Sequence, residues 1–349
     1  MIFALEGLRG FAALVVALFH GWDSAASPWF RHGWICVDLF FVISGYVMSH
    51  TYCKMNDWAG VRSFGIKRFG RLYPLHLFTL AVFIAAEQAL QAIKLLTATG
   101  ITTPNFDLVR PWSLLSNLLL LNGIGVPGER HYNSPSWSIS AELWTYAIFA
   151  LTCAMLAGRA RVRTWILLAV GALGAWTFAP HDTAGGLFRC MWAFFLGACL
   201  PLIRARLSPS RAFLHIAQLL ALAVTLAMVL HLDTPWVAYA MALPFSALVL
   251  SVSFDDGVLA RLLRGRFLQL LGRLSYSVYM THWVVLVFFN PLGPRLPEPY
   301  ASLLKIPYVL AVLGVSLLTY RWIEVPWRHR FRAIANERRA LQAGIGATS

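Results

Sequence analysis

The chain has 349 residues, of which 58% are hydrophobic and 13% charged, and its mean hydropathy is +0.64. Soluble globular domains carry about 25% charged residues, so a pair of ordinary soluble domains is excluded and a membrane protein is indicated. The net charge of +14 comes from short basic runs set between apolar stretches, a pattern of membrane topology that argues against nucleic acid as a partner.

A helix needs about 20 apolar residues to cross a bilayer. That length predicts an all-α, polytopic protein with spans at 8–27, 33–52, 72–96, 136–157, 164–181, 187–203, 212–231, 236–253, 267–290 and 303–323. Of the 29 Lys and Arg, 22 fall at one set of span ends and five at the other, with Lys94 and Lys305 near the latter. The bias predicts both termini in the cytoplasm. Arg9, the apolar run to Phe19 and Ser24-Ala25-Ala26 also mimic a signal peptide, although residues 1–5 are already apolar and nothing downstream reads as a soluble domain. Within the long outer loop 97–135, Trp112–Leu121 is too short to span and is expected to lie at the interface or re-enter. The basic tail is expected to be a helix on the inner membrane surface. The expected organisation is a membrane domain at 1–328 and a basic cytoplasmic tail at 329–349. The oligomeric state is not legible.

Ionisable groups inside a bilayer cost about 2.5–3.5 kcal/mol on insertion scales and therefore need partners or a function. Arg9 and His20 share the first span eleven residues apart, which places them on nearly one face about 16 Å apart along the axis. The bland alternative has Arg9 snorkelling to headgroups and His20 bonding a neighbouring helix. Arg68 and Arg71, with Lys67 beside them, stand where a cytoplasmic loop meets the third span. Two guanidinium forks at i and i+3 suit phosphates, and ordinary positive-inside anchoring is the competing reading.

Asp38 sits among aromatics in the second span, free to orient His20 or to pair with an arginine, and Ser44-Gly45 provides a small surface for close helix contact. Glu142 follows Ser136-Trp137-Ser138 early in the fourth span, where a helix dipole partly accounts for a carboxylate. Arg273, Tyr276, Tyr279 and His282 recur every three residues along the ninth span, and Glu324 and Arg328 form an i, i+4 pair at a helix end. Gly123-x-Gly125-x-x-Gly128 lacks a preceding strand, so it is not a nucleotide loop. His131 and His181 lack partners at metal spacing, and the five cysteines form no CxxC, so neither a metal nor a disulfide framework is expected.

Together these segments resemble acyltransferase family 3 of bacterial membrane proteins, from Leu8 to Arg328. Arg9 to His20 matches the family's Arg-x10-His first span, and Val37-Asp38-Leu-Phe-Phe-Val-Ile-Ser44-Gly45 its second-span motif. Arg68-x-x-Arg71 matches the entry to the third span. Ser136-Trp137-Ser138-Ile-Ser-Ala-Glu142 resembles Trp-Ser-Leu-x-x-Glu, Tyr279-Met-Thr-His282 resembles Tyr-Leu-x-His with small departures, and Glu324-Val-Pro326 also fits. The resemblance implies an enzyme of the bacterial inner (cytoplasmic) membrane with no bound cofactor. It implies transfer of an acyl group, usually acetyl, from acyl-coenzyme A (acetyl-CoA as co-substrate) to a hydroxyl of an extracytoplasmic glycan or glycolipid. On that reading His20, Asp38 and Glu142 are catalytic. Arg9, Lys67, Arg68 and Arg71 bind the donor, and Ser44, Trp137, Ser138, Tyr279 and His282 support them, with Asp38 or Glu142 setting the His20 tautomer. The chain continues 26 residues beyond its last predicted span, too few for the hydrolase-like domain that some members append. Transfer is therefore expected to be completed by the chain itself or by a separate partner. The alternatives are a membrane acyltransferase of another class, acting on a lipid or protein, and a glycolipid transporter or flippase.

Overall fold

The computed structural model describes residues 2–22, 30–97, 111–125, 132–178 and 184–346. The possible cleavage site at Ser24-Ala25-Ala26 and the residues Arg110, Gly128, Arg130, His131 and His181 lie outside the described residues.

Every regular element among the described residues is helical. In chain order these are α1 (Phe3–Phe19), α2 (Cys36–Tyr52), α3 (Trp58–Thr97), α4 (Pro111–Leu118), α5 (Ser136–Met155), α6 (Gly158–Phe178), α7 (Gly185–Arg204) and α8 (Arg211–Val229). They continue with α9 (Pro235–Ala240), α10 (Ala242–Val252), α11 (Val258–Leu263), α12 (Arg266–Phe289), α13 (Tyr300–Leu303), α14 (Lys305–Thr319) and α15 (Val325–Gly346). Each predicted span falls on a helix. Segments Gly33–Tyr52, Trp58–Ile93, Ser136–Met155, Gly185–Arg204, Arg211–Val229 and Tyr300–Arg339 are long and apolar enough to cross a membrane. The others coincide with α1, α6, α9–α10 and α12, which are shorter or more polar. α3 begins well before the predicted third span and runs through Pro74. Arg68 and Arg71 are therefore carried on a helix rather than on the loop leading to it.

Small residues set the packing. A Cβ on Gly10 would collide with the Gly272 backbone, so α1 and α12 run in near-backbone contact. A Cβ on Gly45 would collide with the Phe194 carbonyl, which draws α2 onto α7. These two close approaches position most of the polar side chains discussed below.

The segment from Trp112 to Leu121 is built around α4. Asn117 is fully buried, and its carbonyl lies 2.8 Å from His76 Nε2. The chain then turns through Leu120, at φ 53°, whose carbonyl accepts from Ser140 Oγ at 2.5 Å and Trp144 Nε1 at 2.9 Å. Irregular backbone inside a helical bundle is tolerated where protein groups satisfy it in this way. Gly123 packs against the Trp137 carbonyl, so close approach accounts for this glycine without a phosphate.

A π-helical turn at Tyr320–Glu324 joins α14 to α15. Such turns often mark functional positions, and here the turn carries Glu324 into the interior at 2% exposure. α15 packs along α3, with Phe331 against Gly70 and Ala335 buried.

Candidate active site

The α1–α12 contact brings His20 to His282. His282 Nε2 lies 3.2 Å from His20 Nδ1, and the ring centroids are 5.1 Å apart. Carbonyl oxygens only accept, which assigns both tautomers. His282 Nδ1 is 3.1 Å from the Val278 carbonyl, so it carries the proton and Nε2 keeps a lone pair. His20 Nδ1 is 3.0 Å from the Val16 carbonyl and faces the His282 lone pair, so its N–H is shared between the two. The lone pair of His20 is thereby left on Nε2, the nitrogen able to take a proton or attack a carbonyl. Trp283 stands edge-on to the His20 ring at 5.0 Å. Tyr308 clamps the pair from α14, its hydroxyl donating to the Ala17 carbonyl at 3.1 Å.

Neither carboxylate expected to hold His20 touches it, and this corrects the reading of Asp38 and Glu142 as its orienting groups. The α2–α7 contact instead pairs Asp38 with Arg189, through Nε to Oδ1 at 2.8 Å and Nη2 to Oδ2 at 2.6 Å. The carboxylate is 2% exposed, and a bidentate guanidinium is the partner that a buried anion requires. Glu142 accepts from Ser44 Oγ and Tyr146 OH, both at 2.5 Å. Tyr279 also approaches the pair, its ring 5.9 Å from His282. Its hydroxyl meets Ser138 Oγ at 2.6 Å.

Arg9, Arg68 and Arg71 come together in one narrow chamber, with Ser44, Glu142, Tyr146 and Tyr276. An adjoining space shares Arg9, Ser44, Glu142 and Tyr276 and extends to Val37, Ser138 and Tyr279. Each has a free volume of about 40 Å³. The two spaces run from the arginines along the Tyr276–Tyr279 face of α12; His20 and His282 line neither, and the Tyr279 ring stands between this space and His282. Lys67 does not line it and Arg273 is exposed, because each sits off the face that α3 or α12 turns inward.

Three buried guanidinium nitrogens in this region, Nε of Arg9, Arg68 and Arg328, have no hydrogen bond among the described residues. An unmade bond on a buried charged donor is costly, and these groups are chemically able to receive an anion. Arg328 arrives from α15 and lies 3.6 Å from Glu324, which also accepts from Ser277 Oγ at 2.9 Å. The four arginines Arg9, Arg68, Arg71 and Arg328 face two carboxylates, Glu142 and Glu324, leaving two positive charges in excess. Further along α15, Arg332 is within electrostatic range of Arg68 and Arg71.

The structure adds two charged residues to this region, Arg328 and Arg189. In the sequence Arg328 is legible only as a helix-end partner of Glu324, and Arg189 only as one charge of the predicted outer side. Regular spacing on α12 marks His282 in the sequence, but no local signal links Asp38 to Arg189.

The model of the acyltransferase-3 family, described as an acyltransferase domain, matches residues 2–321. The chain is 28% identical to the putative membrane-bound transacylase BcsY of Komagataeibacter xylinus, over 92% of this chain and 81% of that protein. It is 24% identical to the peptidoglycan O-acetyltransferase OatA of Listeria monocytogenes, over 93% of this chain and 55% of that protein. For the O-acetyltransferase OatA of Staphylococcus aureus the figures are 23%, 95% and 58%. The chain thus spans a little over half the length of the OatA proteins. No solved structure is significantly similar. The family match over nearly the whole chain, on a bundle of apolar helices, establishes that the protein belongs to acyltransferase family 3 of membrane acyltransferases.

Proposed function

We propose that the protein transfers an acyl group, most simply acetyl, from cytoplasmic acyl-coenzyme A to a hydroxyl of an extracytoplasmic saccharide, in a bacterial cytoplasmic membrane. The observation that carries this reading is the set of buried, unsatisfied arginine donors on Arg9, Arg68 and Arg328 beside Arg71. Guanidinium forks in excess over carboxylates suit the phosphates of coenzyme A. The names of the OatA relatives, O-acetyltransferases and in one case of peptidoglycan, favour a glycan acceptor.

In this reading the thioester arm extends from the arginines past Ser44 and Tyr276 toward His20, displacing side chains, since the free space is narrow. His20 Nε2 takes the proton of the acceptor hydroxyl as the oxygen attacks the thioester carbonyl. The C–S bond then breaks, and the leaving thiolate takes up that proton as coenzyme A is released. His282 holds the His20 tautomer, Glu142 balances charge at the chamber's waist, and Asp38 acts through Arg189 on the architecture. Lys67, outside the chamber lining, is given no role in this reading.

The test is coenzyme A release from acetyl-CoA by purified protein in lipid, with membrane glycans added. Arg68→Gln and Arg328→Gln are expected to raise the KM for acetyl-CoA by about tenfold each, the effect of losing one charge-assisted bond of about 1.5–3 kcal/mol in part. Unchanged KM in both would remove the arginines from donor binding.

A further inference from the structure

At the end of the bundle opposite the arginine chamber lies a separate cavity of about 430 Å³, within the size range of small-ligand sites. It is lined by Trp34, Trp137, Trp176, Tyr239, Arg189 and Asp233, with Gly185 and Gly186 leaving room at the mouth of α7. The Arg189 guanidinium sits 4.8 Å from the Trp34 ring, 5.6 Å from Trp137 and 5.8 Å from Trp176. Four chain segments far apart in sequence thus place three indoles around one cation.

An aromatic belt facing lipid is the ordinary use of tryptophan at a membrane surface, and Trp58, Trp112, Trp236 and Trp322 are more than half exposed in that manner. Trp176 is 5% exposed and turns inward. Arg189 gives Nε and Nη2 to Asp38, with Nη2 also 3.4 Å from the Trp34 carbonyl, so Nη1 lies outside these bonds. Arg189 is paired with Asp38, and Asp233 with Arg31 at 3.3 Å, so the cavity offers apolar ring faces and polar groups whose charges are already balanced. That combination suits an uncharged polyol with a flat C–H face.

We infer that this cavity binds the acceptor as a gluco-configured, β-linked pyranose. Equatorial hydroxyls leave axial C–H bonds on each ring face, which stack on indole, while the hydroxyls reach Arg189 and Asp233. The inference rests on the reading of a saccharide acceptor and adds where and in what form it is held. The cavity adjoins the transfer path through the Trp137-Ser138 step of α5. Trp137 faces the cavity, and Ser138 bonds Tyr279, whose ring neighbours His282.

The test is calorimetric titration of the full-length protein in lipid, without acyl donor, using a β-1,4-linked glucose tetramer. Mannitol serves as a control with hydroxyls but no ring face. Saturable binding of the tetramer and none of mannitol is expected. Trp176→Leu should weaken binding by about tenfold, the worth of one aromatic contact, and Trp176→Phe should restore most of it. Binding should persist in His20→Ala, because no chemistry is involved. Absence of tetramer binding, or equal binding of mannitol, overturns the inference. So does an unchanged affinity in Trp176→Leu, or equal losses in the Leu and Phe variants. If the wild type binds the tetramer through Trp176 yet releases no coenzyme A with any glycan, the transfer reading fails while the cavity assignment stands.

Discussion

His282 Nε2 accepts from His20 Nδ1 across the α1–α12 contact at 3.2 Å. Two histidines that pack ring to ring, each bound to the carbonyl four residues earlier on its own helix, are locked in tautomers that leave His20 Nε2 unprotonated. The two residues are 262 positions apart in sequence.

This relationship separates the two roles. His20→Ala is expected to lower kcat by about 10²–10⁴-fold, the usual worth of general acid–base catalysis. His282→Ala removes one orienting bond of about 0.5–1.5 kcal/mol and is expected to lower kcat by about tenfold with donor KM unchanged. His282→Gln, which keeps an acceptor, should recover part of the loss. Coenzyme A release under saturating donor measures all three, and a His282→Ala variant as active as wild type would reduce that residue to packing.

The Asp38–Arg189 pair makes a prediction about stability. Removing one member of a buried pair leaves the other uncompensated, at a cost of about 3–5 kcal/mol. Asp38→Asn and Arg189→Gln are each expected to lower the thermal midpoint in detergent, and the double variant less than the two effects added. Strict additivity would show that the two side chains do not interact.

The helix contacts predict a contrast among glycines. Gly10→Ala and Gly45→Ala place a methyl group into opposing backbone and should destabilise the bundle, with Gly10→Ala also lowering activity by shifting His20 against His282. Gly171 has nothing within 4 Å of its would-be Cβ. Gly171→Ala should therefore be neutral or stabilising, by up to about 1 kcal/mol from helix propensity. Unfolding midpoints of the three variants would decide it, and equal effects would contradict the packing described.

A pH dependence is expected in the turn between α10 and α11. The Gly257 N–H, Arg211 and Arg261 hold Asp256 below the usual 3.8, at about 2. A depressed carboxylate contributes stability that is present above the unfolded value and is lost as pH falls through the folded one. Wild type should therefore lose stability between about pH 4 and 2 relative to Asp256→Asn. Parallel pH profiles of the two proteins would count against the contact.

Much of the fold is legible in the sequence because bilayer length and helix period act locally. Apolar runs predict where helices lie, and the interval of three on α12 marks Tyr276, Tyr279 and His282 on one face. The Arg68–Arg71 pair and Arg9 are likewise visible as cations on single helices, and the motifs around Ser44, Trp137 and Ser138 carry the family resemblance. What those residues touch is another matter. Asp38 is equally compatible on paper with His20 or with an arginine, and only the Gly45–Phe194 approach of α2 to α7 decides for Arg189. Gly10 against Gly272 likewise delivers His282 to His20, while the π turn before α15 turns Glu324 inward beside Arg328. Local pattern determined which groups each helix carries and on which face. Tertiary structure decided which faces meet, because that choice depends on where backbones can approach most closely, a property of pairs of helices that neither helix encodes alone.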